Sequence, residues 1–184
     1  MSYKPIDGTV VIGIGHKARH GKDSAAEHII KQTRGAARRY SFATGLYAVA
    51  RALFNMTEKD PILLQHLGTE VGRRHDNDRW VRTTYWQIRD DRPRIALLPD
   101  CRFPNEVEFV KSMGGTLIKV SRLNADESPF VTTDRDPNHP SEIALDSYSG
   151  WDYTIESYSG RLDLLKKHVE EVLWDLRDKI GAEF

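Results

Sequence analysis

Residues 11–24 read VIGIGHKARHGKDS, and the fold follows from what this stretch must do. An apolar run, Val10 to Ile14, ends in a turn of glycines and basic residues and opens into a helical segment, Ser24 to Lys31. Strand, glycine-rich turn and helix in that order form the context of a phosphate-binding loop. The amides of Gly15, His16, Lys17, Ala18, Arg19, His20 and Gly21 then surround one cavity that favours a polyphosphate. Gly21 lets the backbone approach closely, and Lys22 neutralises the β- and γ-phosphates. Two positions depart from GxxxxGK[ST]. His16 stands at the first glycine position, six before Lys22, and histidine tolerates positive φ better than most residues. Asp23 follows Lys22 where Ser or Thr is usual, with Ser24 next; carboxylate and hydroxyl are both oxygen donors suited to Mg²⁺.

Bulk properties set the boundaries. The chain has 184 residues, 39% hydrophobic and 29% charged, with a net charge of zero. This suits one domain over 1–184 with a real core, and gives no global attraction to nucleic acid or membrane. A single cysteine, Cys101, excludes an internal disulfide framework and fits a reducing cytosol. The opening MSYKPIDGT lacks an apolar signal region, and no stretch approaches a membrane span. The expectation is a cytoplasmic globular protein without repeats or low-complexity segments.

Past the loop, Ala25, Ala26, Ile29 and Ile30 share a helical face. The cations Lys31, Arg34, Arg38 and Arg39 around Gly35 read as a solvated helix end, and Tyr40 to Ala43 as a short second strand. Three helical patterns follow. Leu46, Val49, Ala50, Leu53 and Phe54 form one inward stripe, and Leu63, Leu64, Leu67 and Val71 a second, started by Asp60-Pro61. The third, from near Asn77, carries Trp80, Val81, Thr84, Tyr85 and Ile88. Three helices exceed a simple crossover and imply a helical substrate-binding insertion over about 44–92.

Arg94 to Pro99 is a continuous apolar run, as expected of a strand buried on both faces. It delivers Asp100 and Arg102 at its C-terminal end, the edge where ligands sit in open α/β sheets. A helix from Pro104, closed by Gly114-Gly115, leads to a strand, Thr116 to Ser121, that ends at Arg122. Residues 123–142 are polar, hold three prolines and lack a period, so a lid over about 122–145 is expected, with Arg135 in its middle. A last strand, Tyr153 to Glu156, and a helix from Leu162 to Ile180 complete the chain; Leu162, Leu165, Val169, Val172, Leu176 and Ile180 form that helix's inner stripe. The alternation predicts an α/β P-loop kinase fold, with a five-stranded parallel sheet and helices on both faces.

Five fragments, GHKARHGKDS, SFATGLYAVARALF, LLQHLGTEVGRRHDNDRWV, PDCRFPNEVEFVKSMGGTLIKVSR and HPSEIAL, occur in one order. Together they resemble the bacteriophage deoxynucleoside monophosphate kinases from about residue 10 to residue 165. The resemblance implies Mg²⁺- and ATP-dependent phosphorylation of a deoxynucleoside 5′-monophosphate, in the host cytoplasm if phage-encoded. Lys22, Asp23 and Ser24 match the family's GKD[ST]; Asp100 and Arg102 match DxRFPNE; Gln65, Thr69, Arg73 and Trp80 match LQxxGT…R…W. Thr44, Gly45 and Tyr47 replace the acid, proline and lysine of the family's SFADPLK, so another cation or a different substrate pose is required. Ser157 stands where asparagine is usual.

Phosphoryl transfer depends on positioning and on neutralising the transferring group. Lys22 and Mg²⁺ serve the ATP side, with Mg²⁺ held by Asp23, Ser24 and, through water, Asp100. Arg102, Arg122 and Arg135 are the candidates for the shared or acceptor side, because guanidinium forks bind phosphate oxygens in pairs. Surface salt bridges are the ordinary alternative, most evenly balanced for Arg135. Gln65, Thr69, Arg73, Trp80 and Arg102 are the candidate acceptor contacts, although Trp80 also suits core packing. His139 and Glu142 read as caps of a lid helix. The partners expected are the monophosphate and a possible second copy of the chain; polymeric nucleic acid and membrane are disfavoured. Three rival readings stay open: a kinase of hydroxymethylated bases in DNA, with Asp100 as general base; a kinase of another small phosphorylated metabolite, like the GKD-bearing phosphomevalonate kinases; and a non-catalytic ATP-binding switch.

Overall fold

The computed structural model describes residues 3–181, so the outermost residues of the domain expected over 1–184 lie outside the described residues. Five strands, β1 (Val10–Gly15), β2 (Ala37–Arg39), β3 (Ile95–Cys101), β4 (Thr116–Leu123) and β5 (Tyr153–Tyr158), form one sheet in the order β2-β3-β1-β4-β5. Every neighbouring pair is parallel. The α/β architecture with a five-stranded parallel sheet is therefore present as the sequence predicts.

Alternation along the strands divides the core in two, because successive side chains point to opposite faces. Ile12 and Ile14 of β1, Ile95 and Leu97 of β3, and Ile118 and Val120 of β4 pack with α1 (Lys22–Gln32) and α7 (Leu162–Ile180). Val11, Ala96, Leu98 and Leu117 pack on the other face with α2 (Thr44–Phe54), α4 (Arg79–Asp91) and α5 (Pro104–Ser112). Between α2 and α4, helix α3 (Pro61–Gln65) runs into a π-helical stretch, His66–Arg73. The Asp60 side chain accepts the Ile62 and Leu63 amides at 3.0 Å each, capping α3 ahead of Pro61.

Four expectations need correction. The second strand is Ala37–Arg39, not Tyr40–Ala43; its pattern is hidden because it is a three-residue edge strand whose two arginines face outward. On α2 only Leu46 and Ala50 are buried, while Leu53 (73%) and Phe54 (51%) are exposed. Val49, Val71 and Leu162 are likewise exposed rather than inward. Strands β3, β4 and β5 each run past their predicted ends, so Asp100 and Arg122 lie inside strands rather than after them. Residues 124–139 are irregular, and a single short helix, α6 (Pro140–Ile143), follows them.

Candidate active site

The loop after β1 is built from strained backbone held by its surroundings. His16 has φ 96° and Arg19 φ 62°, so the histidine adopts the positive φ expected of it. At Gly15 a Cβ would lie 2.5 Å from the Trp151 ring and 2.9 Å from the Cys101 carbonyl, so only glycine fits. Gly21 (φ 99°) then turns the chain into α1. Asp146 fixes the start of the loop, accepting from His16 Nε2 at 3.1 Å and Lys17 Nζ at 3.0 Å. His20 fixes its end. Its Nδ1 accepts the Arg122 amide at 3.1 Å, which assigns the ring proton to Nε2, and Nε2 donates to the Phe130 carbonyl at 3.2 Å. Burial lowers the His20 pKa to about 4, so the ring is neutral at pH 7.

Lys22 is 5% exposed and donates to the Lys17 carbonyl across the loop. Burial first, then the nearby Arg102 charge, lower its pKa to about 7. Such a lysine is held ready for anionic charge that restores its proton. Asp23 sits at the exposed rim and pairs with Arg39. Asp100, at the carboxyl end of β3, accepts from the Ser41 hydroxyl and from the Ala43 amide through Oδ2. Its Oδ1 is buried without a partner among the described residues, and burial raises the Asp100 pKa.

Three arginines approach the same space. Arg102 Nη1 donates to Glu142 Oε1 at 2.5 Å, and its backbone amide donates to Glu106 Oε2 at 2.6 Å. Arg135 donates from Nε to Asp134 Oδ1 at 2.8 Å and lies 3.7 Å from Glu142 Oε1. Arg122 donates to Ser159 Oγ at 2.9 Å and to the Arg19 carbonyl at 3.3 Å, with its guanidinium stacked 4.0 Å from the Phe130 ring centre. Arg73 is held more firmly: it pairs with buried Glu106, donates to Asn105 Oδ1 at 3.2 Å and stacks 3.8 Å from the Phe103 ring centre.

These groups open onto one cleft of about 1140 Å³. Lys22, Asp23, Ser24, Asp100, Arg102, Arg122 and Arg135 line it at the sheet edge, with Gln65, Thr69, Arg73 and Trp80 toward the helices. Ser157 lines it as well and donates to the Arg161 carbonyl at 3.0 Å. Gln65 Nε2 is buried there without a partner among the described residues. Trp80 is 7% exposed and donates from Nε1 to the Gly68 carbonyl at 3.1 Å, so it is a floor of the cleft rather than a free stacking surface. Of the expected cradle, Ala18, Arg19, His20 and Gly21 line this cleft, whereas His16 and Lys17 line a separate cavity of about 470 Å³ behind the loop. Gly15 supports the loop from the strand without lining either. Arg19 donates from Nε to Asp134 Oδ2 at 2.8 Å. Among the described residues, no group of three or more His, Cys, Asp or Glu side chains converges as a metal site.

Two features escape sequence reading. Glu142 does not cap the lid helix; His139 does, accepting the Ser141 amide. Glu142 instead accepts the Ala18 amide at 2.8 Å, an interaction across 124 residues that no local signal announces. Lys59, beside the Asp60 cap, lines the cleft. Burial and the Arg135 charge lower its pKa. A cation immediately before a helix cap was its only sequence signal.

No family model matches the chain. A putative deoxynucleotide monophosphate kinase of Acanthamoeba polyphaga mimivirus is 26% identical over 178 residues, covering 79% of this chain and 87% of that protein. A deoxynucleoside-5′-monophosphate kinase of Escherichia phage T5 is 33% identical over 89 residues, covering 45% of this chain and 33% of the phage protein. Among solved structures, the hexameric APS kinase from Thiobacillus denitrificans aligns with a TM-score of 0.44 at 13% identity, over 93% of this chain and 29% of that one. The two viral relatives support the resemblance to deoxynucleoside monophosphate kinases drawn from the five sequence fragments.

Proposed function

We propose that this protein transfers the γ-phosphoryl group of ATP to a deoxynucleoside 5′-monophosphate, giving the diphosphate. The observation that carries the reading is one continuous cleft joining two kinds of wall. One is a loop with a buried lysine, Lys22, beside Asp100 and Arg102; the other is a helical wall holding the unpartnered Gln65 amide and the anchored Arg73. The first wall suits a polyphosphate, and the second suits a smaller phosphorylated molecule in line with it.

Lys22 holds the donor phosphates, and its lowered pKa means that polyphosphate binding draws a proton onto it near neutral pH. Arg102 and Arg135 offset repulsion between donor and acceptor phosphates, and Arg122 flanks the donor nucleotide. Asp100 Oδ1, buried without a partner among the described residues, fits a nucleotide-borne Mg²⁺ held through water, and Ser24, which lines the same cleft, would supply a second oxygen donor. Magnesium would supply charge neutralisation of the β- and γ-oxygens. Asp23 joins that set only after leaving Arg39. Gln65 donates to an oxygen of the acceptor. Arg73, Thr69 and Lys59 line the acceptor end, and Lys59 is the available cation where Tyr47 occupies the position of the family's lysine. No side chain needs to act as a base, since a monophosphate has a second pKa of about 6 and is largely dianionic at pH 7. The lone, buried Cys101 fits work in a reducing cytoplasm.

The test is a coupled ADP-release assay with Mg²⁺-ATP and each deoxynucleoside monophosphate, with hydroxymethyluracil-containing DNA in parallel. Turnover of at least one monophosphate, abolished by Lys22→Ala, is expected. Silence on every monophosphate with phosphate transferred to DNA would overturn the reading and make Asp100 a general base.

A further inference from the structure

The carboxylate of Glu142 joins three parts of the molecule that the chain keeps far apart. Its side chain is 3% exposed. Oε2 accepts the Ala18 amide of the phosphate loop at 2.8 Å, and Oε1 accepts Arg102 Nη1 from the end of β3 at 2.5 Å. Arg135, from the irregular 124–139 segment, lies 3.7 Å from the same oxygen. A buried carboxylate of this kind persists only where its charge is answered. Here the answering charges are two arginines of the cleft, one of them neighbouring Lys22 closely enough to depress its pKa.

The alternative anchors of Arg102 are weak. Apart from Glu142, its guanidinium has among the described residues only the Ser141 carbonyl, at 3.5 Å. Its backbone is fixed separately, through the amide bond to Glu106. Thus Glu106 sets where Arg102 starts, and Glu142 sets where its charge ends. We propose that Glu142 is a positioning residue: it holds the Arg102 guanidinium against the phosphate loop, so that the loop and the arginine present one fixed anion seat. Since the same carboxylate meets Arg135, entry of the 124–139 segment into the cleft is registered to that seat. The inference rests on the kinase reading for its kinetic consequence, but the restraint on Arg102 is a property of the protein alone.

The test is a double-mutant cycle of Glu142→Gln and Arg102→Ala, with Asp146→Asn as a control. Asp146 tethers the same loop through His16 and Lys17 but does not meet Arg102. Glu142→Gln should lower kcat about 10- to 100-fold, in line with the cost of slight misplacement, with KM for ATP changed less than about threefold. In the Arg102→Ala background the same change should cost less than about threefold, because coupled residues are non-additive. Asp146→Asn should lower kcat by no more than about threefold, and Glu142→Asp, which keeps the charge, should recover part of the loss. Independently of turnover, the Arg102 guanidinium protons should give separate nitrogen-correlated NMR signals in the wild type and merge in Glu142→Gln as rotation is freed. The proposal is overturned if Glu142→Gln costs its full factor without Arg102, if Asp146→Asn is equally damaging, or if the Arg102 signals do not change. Absence of monophosphate turnover by the wild type would instead sink the kinase reading, and the NMR comparison would still decide the role of Glu142.

Discussion

The two walls of the cleft are made differently. The wall at the sheet edge is a network of buried and half-buried charges from three segments: Lys22 of the loop and α1, Asp100 and Arg102 at the end of β3, and Glu142 of α6 behind them, paired with Arg102. The helical wall is mostly packing. Trp80 fills the space against Gly45 and Gly72, where an added Cβ would come within 3.3 and 2.6 Å of its ring, and the outer faces of α2 and the π-helical stretch leave Leu53, Phe54 and Val71 exposed. On the proposed function, charge placement on the first wall would control chemistry and the shape of the second would control which acceptor fits. Substitutions on the first wall should therefore change kcat, and those on the second should change acceptor KM or stability.

The largest effect is expected from Lys22→Ala, about 10³-fold or more in kcat/KM, since it removes the principal cation from the donor phosphates. A loss below tenfold in steady-state assays would mean the sheet edge is not the donor wall. Asp100→Asn should lower kcat about 10²-fold and raise the Mg²⁺ concentration needed for half-maximal rate, read from a magnesium titration. An unchanged magnesium dependence would remove Asp100 from the metal. On the other wall, Trp80→Ala should cost about 3–5 kcal/mol of stability, read by denaturant unfolding. It should also raise the acceptor KM, while ATP affinity stays near wild type. Lys59→Ala is expected to be milder, raising the monophosphate KM about five- to tenfold with kcat nearly intact. An effect on ATP rather than the acceptor would reverse the assignment of the walls.

A further prediction concerns pH. Lys22 has a folded pKa of about 7 against an ordinary 10.5, so between these values the unfolded chain binds more protons and stability rises with pH. Replacing it with Met removes that contribution. The ligand-free variant should exceed the wild type in stability at and below pH 7, with the gap closing toward pH 10.5, as thermal melts at several pH values would reveal. A gap that stays constant with pH would mean the lysine is not charge-strained.

Much of this division was legible in the chain. The phosphate loop is readable because glycine and lysine spacing is a local requirement, and the positive φ of His16 follows from its place in that pattern. Helix α7 and the Asp60 cap are readable for the same reason: period and cap chemistry act within a few residues. What periodicity cannot supply is the partner of an apolar stripe. Leu53 and Phe54 belong to a clean helical pattern yet face outward, since nothing in the pattern states what covers it. Strand β2 was hidden by its two outward arginines, one of which, Arg39, turns out to hold Asp23. Glu142 was hidden by distance along the chain, because Ala18 and Arg102, its hydrogen-bond partners, lie 124 and 40 residues away.

The most direct test follows the phosphate itself. The protein is incubated with Mg²⁺ and ATP labelled in its γ-phosphate, together with a deoxynucleoside monophosphate, and the position of the label in the product is determined. Label is expected in the β-phosphate of the deoxynucleoside diphosphate, and none with Lys22→Ala. Label found only in inorganic phosphate, or on a hydroxyl of a nucleoside or polynucleotide, would contradict this expectation.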